Sequence, residues 1–227
     1  MSVDSFEIQG QMVALPVHVR NADSWAAQFV VSAKKAQAIV DPTGLAVASF
    51  AGRTIVSLAF VRYLDTDLDA YNELAVAFLV KQHDDARGPA VYIHQLPVTQ
   101  TFTLEAGQRI WGYPKFLADI EITEHRHHVS CTLAAEGVYV LTLDVHEGGP
   151  MRLPTRDLPT YSLRDDVLRR TPWEQDAVTK ARLGGASLEL GSHPIADDLR
   201  SLGLPKRALM TSTMRGMRAT FGAAEVV

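Results

Sequence analysis

The residue whose neighbours suggest chemistry is Lys115. The stretch Gly107-Gln108-Arg109-Ile110-Trp111-Gly112-Tyr113-Pro114-Lys115-Phe116-Leu117-Ala118 boxes its amine among Trp111, Tyr113, Phe116 and Leu117. Pro114 fixes the backbone just before it, and Gly112 permits a close approach. Apolar surroundings disfavour an ammonium and favour the free amine. A free amine attacks a ketone to form a Schiff base, and the iminium then draws electrons from an adjacent C–C or C–H bond. Local composition leaves a second reading open, because a lysine among aromatic residues also snorkels to solvent.

Other reactive residue types carry less. In Glu124-His125-Arg126-His127-His128, His125 and His127 share one face of an extended chain, as chelating histidines do. Arg126 would repel a cation there, and the run sits between two apolar segments, so a solvated turn is expected and no metal. His18, His94, His146 and His193 are dispersed and read as surface or structural residues. Cys131 is the single cysteine, which excludes an internal disulfide and a cysteine zinc cage and points to a reducing, cytoplasmic setting. Gly184-Gly185 reads as a hairpin turn rather than a phosphate loop, since no Lys-Ser/Thr follows.

The elements that must position Lys115 read mainly as strands. Ser32 is placed to cap a helix over 33–40, which Asp41-Pro42-Thr43-Gly44 stops. Arg53 to Tyr63, Glu73 to Lys81, Ala90 to Leu96, Leu117 to Thr123, Val129 to Ala134 and Val138 to His146 suit strands. His83 to Pro89 reads as a polar loop, and Pro97 to Leu104 as a short helical or irregular crossing. Gly148 to Pro159 is a Pro-rich connector. Asp176 to Leu183 and Ala186 to Leu190 read as a hairpin, and Ser192-His193-Pro194 opens a helix that Gly203 closes. Lys206 to Arg218, with Met210, Met214 and Met217, is expected to pack against a partner subunit.

Trp111-Gly112-Tyr113-Pro114-Lys115-Phe116-Leu117-Ala118 resembles the Schiff-base lysine motif of the acetoacetate decarboxylase superfamily, whose core is Tyr-Pro-Lys-x-Leu. Tyr71-Asn72-Glu73 is similar to the family's Tyr-x-Glu, which carries an active-site carboxylate. Gly185 to Leu190, His193 to Ala196 and Leu204-Pro205 resemble its C-terminal strand, helix and final strand, so the likeness spans nearly the whole chain. It implies Lys115 as nucleophile and Glu73 as acid/base, with Trp111, Tyr113 and Phe116 against the substrate. Arg20 is the nearest candidate for the family's carboxylate-binding arginine, with Arg62 and Arg109 as competitors lacking motif support. Two departures stand out. The second lysine of the decarboxylase prototype is replaced by Phe116, and its second glutamate falls at Leu58.

Composition bounds the rest. The 227 residues suffice for a single domain over 1–227, and 47% hydrophobic with 21% charged residues excludes disorder or a coiled-coil rod. A net charge of −4 argues against nucleic acid or anionic lipid as partner. Met1 to Gln11 carries Asp4 and Glu7 and lacks a basic start with an apolar run, so no signal peptide is expected. The expected fold is α+β, mainly antiparallel β: a curved sheet or cone-like barrel of acetoacetate decarboxylase type with a few short packed helices. The expected function is a Schiff-base lyase on a small keto acid, first decarboxylation of a β-keto acid such as acetoacetate. The alternatives are aldolase or dehydratase chemistry on an α-keto acid, or non-catalytic ligand binding. No cofactor is expected, and the likeness implies a homo-oligomer.

Overall fold

The computed structural model describes residues 4–82, 88–154 and 158–227, so most of the expected polar loop at His83 to Pro89 lies outside the described residues. The chain opens with β1 (Ser5–Ile8) and β2 (Gln11–Ala14), a hairpin, followed by β3 (Val17–Ser32), α1 (Ala33–Val40) and a 3-10 turn at Asp41–Thr43. β4 (Arg53–Thr66), β5 (Tyr71–Lys81) and β6 (Pro89–Val98) lead to α2 (Thr101–Trp111) and β7 (Lys115–Leu117). β8 (Asp119–Glu124), β9 (His128–Ala135) and β10 (Val138–His146) form a meander. Then come β11 (Met151–Leu153), β12 (Thr160–Arg164), β13 (Val167–Thr171), β14 (Trp173–Asp176), β15 (Thr179–Leu183) and β16 (Ala186–Leu190). α3 (Pro194–Ser201), β17 (Met210–Phe221) and β18 (Glu225–Val226) complete the chain.

Two sheets carry these strands. The large one runs β11-β15-β17-β3-β4-β5-β6-β12-β13-β18, with β14 beside β17 and β7 beside β6. The small one runs β16-β10-β9-β8. Pairing is antiparallel except where β6 meets β7 and β12. The fold is therefore the expected α+β one, with a curled large sheet that does not close into a barrel.

Period-two alternation gives the central strands two covered faces. On β4, Val56, Leu58 and Phe60 are fully buried in a core shared with the small sheet, α1 and α3. The intervening Ser57, Ala59 and Val61 line a cavity inside the curl. α2 and the β1–β2 hairpin contribute Phe102, Ile110 and Ile8 to a second core on that side.

Two expectations are corrected. β15 and β16 do not form a hairpin: β15 pairs with β11 and β17, and β16 with β10 of the small sheet. Gly184 N–H bonds Leu209 O of the large sheet, while Gly185 O accepts from His146 N–H of the small one. Two glycines at φ 64° and 84° thus pass the chain between sheets. The crossing after β6 is a full helix, α2, with the Gln100 side chain accepting from Thr103 N–H at 2.8 Å and Gly112 ending it at φ 65°. The methionine-bearing segment is β17, a strand held between β3 and β14/β15 of the large sheet.

Candidate active site

Lys115 is placed by the corner between α2 and β7. Gly112 ends the helix, Lys115 N–H bonds Tyr113 O at 2.8 Å, and Gln108 Nε2 donates to Lys115 O at 2.7 Å. Parallel pairing with Leu96 then seats β7 against β6. The Lys115 side chain runs back across α2 at Gly107, where even a methyl group would lie 2.7 Å from Lys115 Cε and closer still to Cδ. Thr103, Gly107 and Trp111 are spaced i, i+4, i+8, so one helical stripe faces the lysine.

The amine ends in a buried polar cluster. Lys115 Nζ lies 2.9 Å from Glu73 Oε2, donates to Thr103 Oγ1 at 3.0 Å, and sits 5.0 Å from the centre of the Tyr71 ring. Only 3% of the Lys115 side chain and 10% of the Glu73 side chain reach solvent, so the pair is sustained by each other and by these neighbours. Tyr63 donates to Glu73 Oε1 at 3.3 Å and stacks on Tyr71 with ring centres 4.4 Å apart. Burial, reinforced by the charge of Glu73, raises the Tyr63 and Tyr71 hydroxyls well above the usual phenol range. Burial also pushes Tyr113 to about 12, against the opposing pull of its bond to Thr160. Near neutrality all three phenols therefore stay protonated.

The cluster opens onto a cavity of about 370 Å³. Of its described lining residues, only Lys115 and Glu73 carry charge. Trp111 and Tyr113 line it as expected, and Trp111 Nε1 is anchored on Gly222 O at 2.8 Å.

Two expected site residues are not brought to the cavity. Arg20 points outward, bonded to Asp65 at 2.8 Å and Asp67 at 2.5 Å. Plain alternation would align it with Ser24, Ala26 and Gln28, which do face the cavity. The register between β3 and β4 shifts around Asn21, so Val17 and Val19 face in and Arg20 faces out. Phe116 follows Lys115 on a strand and so takes the opposite face, packing on the core shared with the small sheet. Position 58 is also on that face; the residue directly across from Glu73 is Val61. The competitors lie outside too, Arg62 on Glu124 and Arg109 on Glu105 and Glu7 O. Replacing Arg20 by alanine is expected to change substrate trapping at Lys115 by less than about threefold, since exposed pairs contribute little; steady-state and trapping assays on the variant check this.

Tyr63, Thr103 and Gly107 were not singled out by the sequence reading. Strand alternation from Val61 would have found Tyr63, and the helical stripe ending at Trp111 would have found the other two.

The sequence profile of the family described as acetoacetate decarboxylase (ADC) matches residues 7–227. The chain belongs to the acetoacetate decarboxylase family. Several solved structures share its fold. Acetoacetate decarboxylase from Legionella pneumophila superposes with a TM-score of 0.74 at 17% identity, over 93% of this chain and 87% of that one. An acetoacetate decarboxylase-like enzyme from Sphingomonas wittichii RW1 gives 0.70 at 18% identity, over 96% of each chain. The enduracididine biosynthesis enzyme MppR, solved with pyruvate, gives 0.69 at 14% identity, over 93% of this chain and 90% of that one. Comparison with curated protein sequences finds no significant match. Among the described residues no helix is long and apolar enough to cross a membrane.

Proposed function

We propose that this member of the acetoacetate decarboxylase family is a lyase working through a Schiff base on Lys115, with decarboxylation of a β-keto acid as its first reaction. The observation that carries the reading is the buried Lys115–Glu73 pair, 2.9 Å apart at the wall of an otherwise uncharged cavity. Glu73 takes a proton from the ammonium, and the free amine adds to the ketone. Glu73 returns the proton as the hydroxyl leaves as water, giving the iminium. Electrons of the bond to the carboxylate flow into the iminium as CO2 departs. The resulting enamine is protonated at carbon, and water releases the ketone product and the lysine. An apolar wall favours the step, because a carboxylate loses charge as CO2 forms.

One observation favours a second reading. Lys115 is the one cation in the described lining, so a substrate carboxylate has no other cationic partner there. Aldol or dehydratase chemistry on an α-keto acid at the same lysine asks less of such a site, because the substrate's carboxylate adjoins the iminium carbon and has that positive charge beside it. MppR, which shares the fold, has been solved with pyruvate and with a condensation product of pyruvate and imidazole 4-carboxaldehyde.

Borohydride reduction with a panel of β- and α-keto acids, read by intact mass, separates these readings. The expected result is a reduced adduct on Lys115 with β-keto acids, accompanied by CO2 release. Trapping by pyruvate but not acetoacetate would favour the second reading. No adduct with any member would leave a non-catalytic binding protein.

A further inference from the structure

The cavity is much longer than a four-carbon keto acid needs. Its reactive end is marked by Glu73, which lies directly across β4 from Val61. Four residues further along the same face is Ser57, paired with Ala77 on one side and Gln28 on the other. Four strand residues span about 13 Å. The space between is floored by Ala26, Ala59, Ala75 and Ala77, whose small side chains leave the cavity open. Its volume of about 370 Å³ falls in the range that holds ligands of drug size.

The far end has its own chemistry. Gln28, Ser57 and Ser212 line it, from β3, β4 and β17. The Gln28 amide reaches Ser212 Oγ through Nε2 at a long 3.5 Å, while its buried Oε1 meets no donor among the described residues. If the amide is turned over, the oxygen faces Ser212 and the amino group is left open instead. In either orientation one amide atom at a buried position has no partner among the described residues, and a buried polar atom without a partner costs free energy that a ligand would recover. A hydroxyl, which both donates and accepts, suits either orientation.

We propose that the Gln28 end is a second recognition subsite, and that the substrate is an extended keto acid with an apolar middle and an uncharged hydroxyl at its tail. This rests on Lys115 being the reacting amine. An extended chain advances roughly 1.2 Å per bond, so about eight bonds from the reacting carbonyl, plus one hydrogen bond, cover the distance.

The test compares acetoacetate, 3-oxodecanoate and 10-hydroxy-3-oxodecanoate for the concentration that half-saturates borohydride trapping on the full chain. Calorimetry with 1-butanol, 1-octanol and 1,8-octanediol, which cannot form a Schiff base, reads the subsite independently of Lys115. Affinity is expected to rise roughly fourfold per methylene at best, with a further gain of up to tenfold from the terminal hydroxyl. Gln28→Leu should erase the hydroxyl preference, and Ala59→Leu should lower the ratio of long-chain to short-chain trapping by tenfold or more. Each variant is checked for an unchanged melting curve, and Ala59→Ser serves as the space-preserving control. Flat trapping across chain length, with the diol binding no better than butanol, overturns the subsite and leaves the lysine reading intact. Diol binding that Gln28→Leu weakens, without trapping of any ketone, supports the subsite and removes the lysine reading.

Discussion

Lys115→Met is expected to abolish the borohydride adduct and to lower turnover by roughly 10⁴-fold or more, the scale on which a covalent nucleophile matters. The loss must be separated from damage to the fold. Lys115 and Glu73 are both buried and lie 2.9 Å apart, so removing the amine strands a carboxylate. Breaking such a pair from one side costs about 3–5 kcal/mol. Tyr63 retains its bond to Glu73, which offsets part of this. The double variant Lys115→Met, Glu73→Gln removes both charges while keeping two side chains of similar size. Its melting temperature is expected to return most of the way to that of the unaltered protein, with no adduct and no turnover. Recovery of stability without recovery of chemistry shows that the loss in Lys115→Met is not a loss of fold, and the missing adduct assigns the covalent step to the amine. An adduct that persists in Lys115→Met would place the nucleophile elsewhere.

What the sequence made legible follows how local each feature is. α1 over Ala33–Val40 and β10 over Val138–His146 agree with the reading residue for residue, because periodicity and flanking turn residues are short-range signals. His193 and Gly203 were likewise readable: the His193 side chain caps α3 by accepting from Ile195 N–H, and Gly203 follows the helix at φ 88°. The connection at Gly184-Gly185 was not. Its local chemistry suits a hairpin, but the partners of β15 and β16 lie far away in sequence, and only the assembled sheets decide the pairing. α2 was hidden for a different reason. Thr101, Thr103 and Gly107 lower its intrinsic helical preference, and the burial of Phe102, Ala106 and Ile110 compensates.

The site divides along the same line. Lys115 and Glu73 were identified from short motifs, and their meeting at 2.9 Å needed strands 40 residues apart in sequence to share one cavity, which no motif states. Arg20 was misplaced because a single shifted register near Asn21 reverses which side chains face inward. Phe116 adjoins Lys115 in sequence but not in space, because neighbours on a strand point apart and it packs on the opposite core. The corrections alter the chemistry as well as the map. Without Arg20, the described cavity has no cation to hold a distant carboxylate, and Phe116 does not contribute to its apolar wall.

Gly107→Ala is expected to lower kcat/KM by about 10²-fold or more while destabilising the fold less than Lys115→Met does. The helical gain from alanine and the loss of the buried ion pair pull stability in opposite directions, which makes the variant informative. Gly107 lies inside α2, where alanine is favoured over glycine by about 1 kcal/mol. Its backbone does not need left-handed freedom, so the smallness of the residue is what the site requires. The added methyl would meet Lys115 Cε at 2.7 Å, too close for any unstrained contact. A lysine stem is flexible and can swing aside, but the swing carries Nζ away from both Glu73 Oε2 and Thr103 Oγ1 and gives up part of what the buried pair contributes to stability. The amine then loses the base that accepts its proton and the aim that brings it to the carbonyl. Gly107→Ser, nearly as small but polar, should fail equally, because the obstruction is at Cβ. Thermal melting beside a trapping time course distinguishes this from general disruption. A melting temperature lowered less than in Lys115→Met, with trapping slowed a hundredfold, is the expected pair of results. Unchanged trapping in Gly107→Ala would mean that Lys115 reacts from a different conformation than the one lying across Gly107.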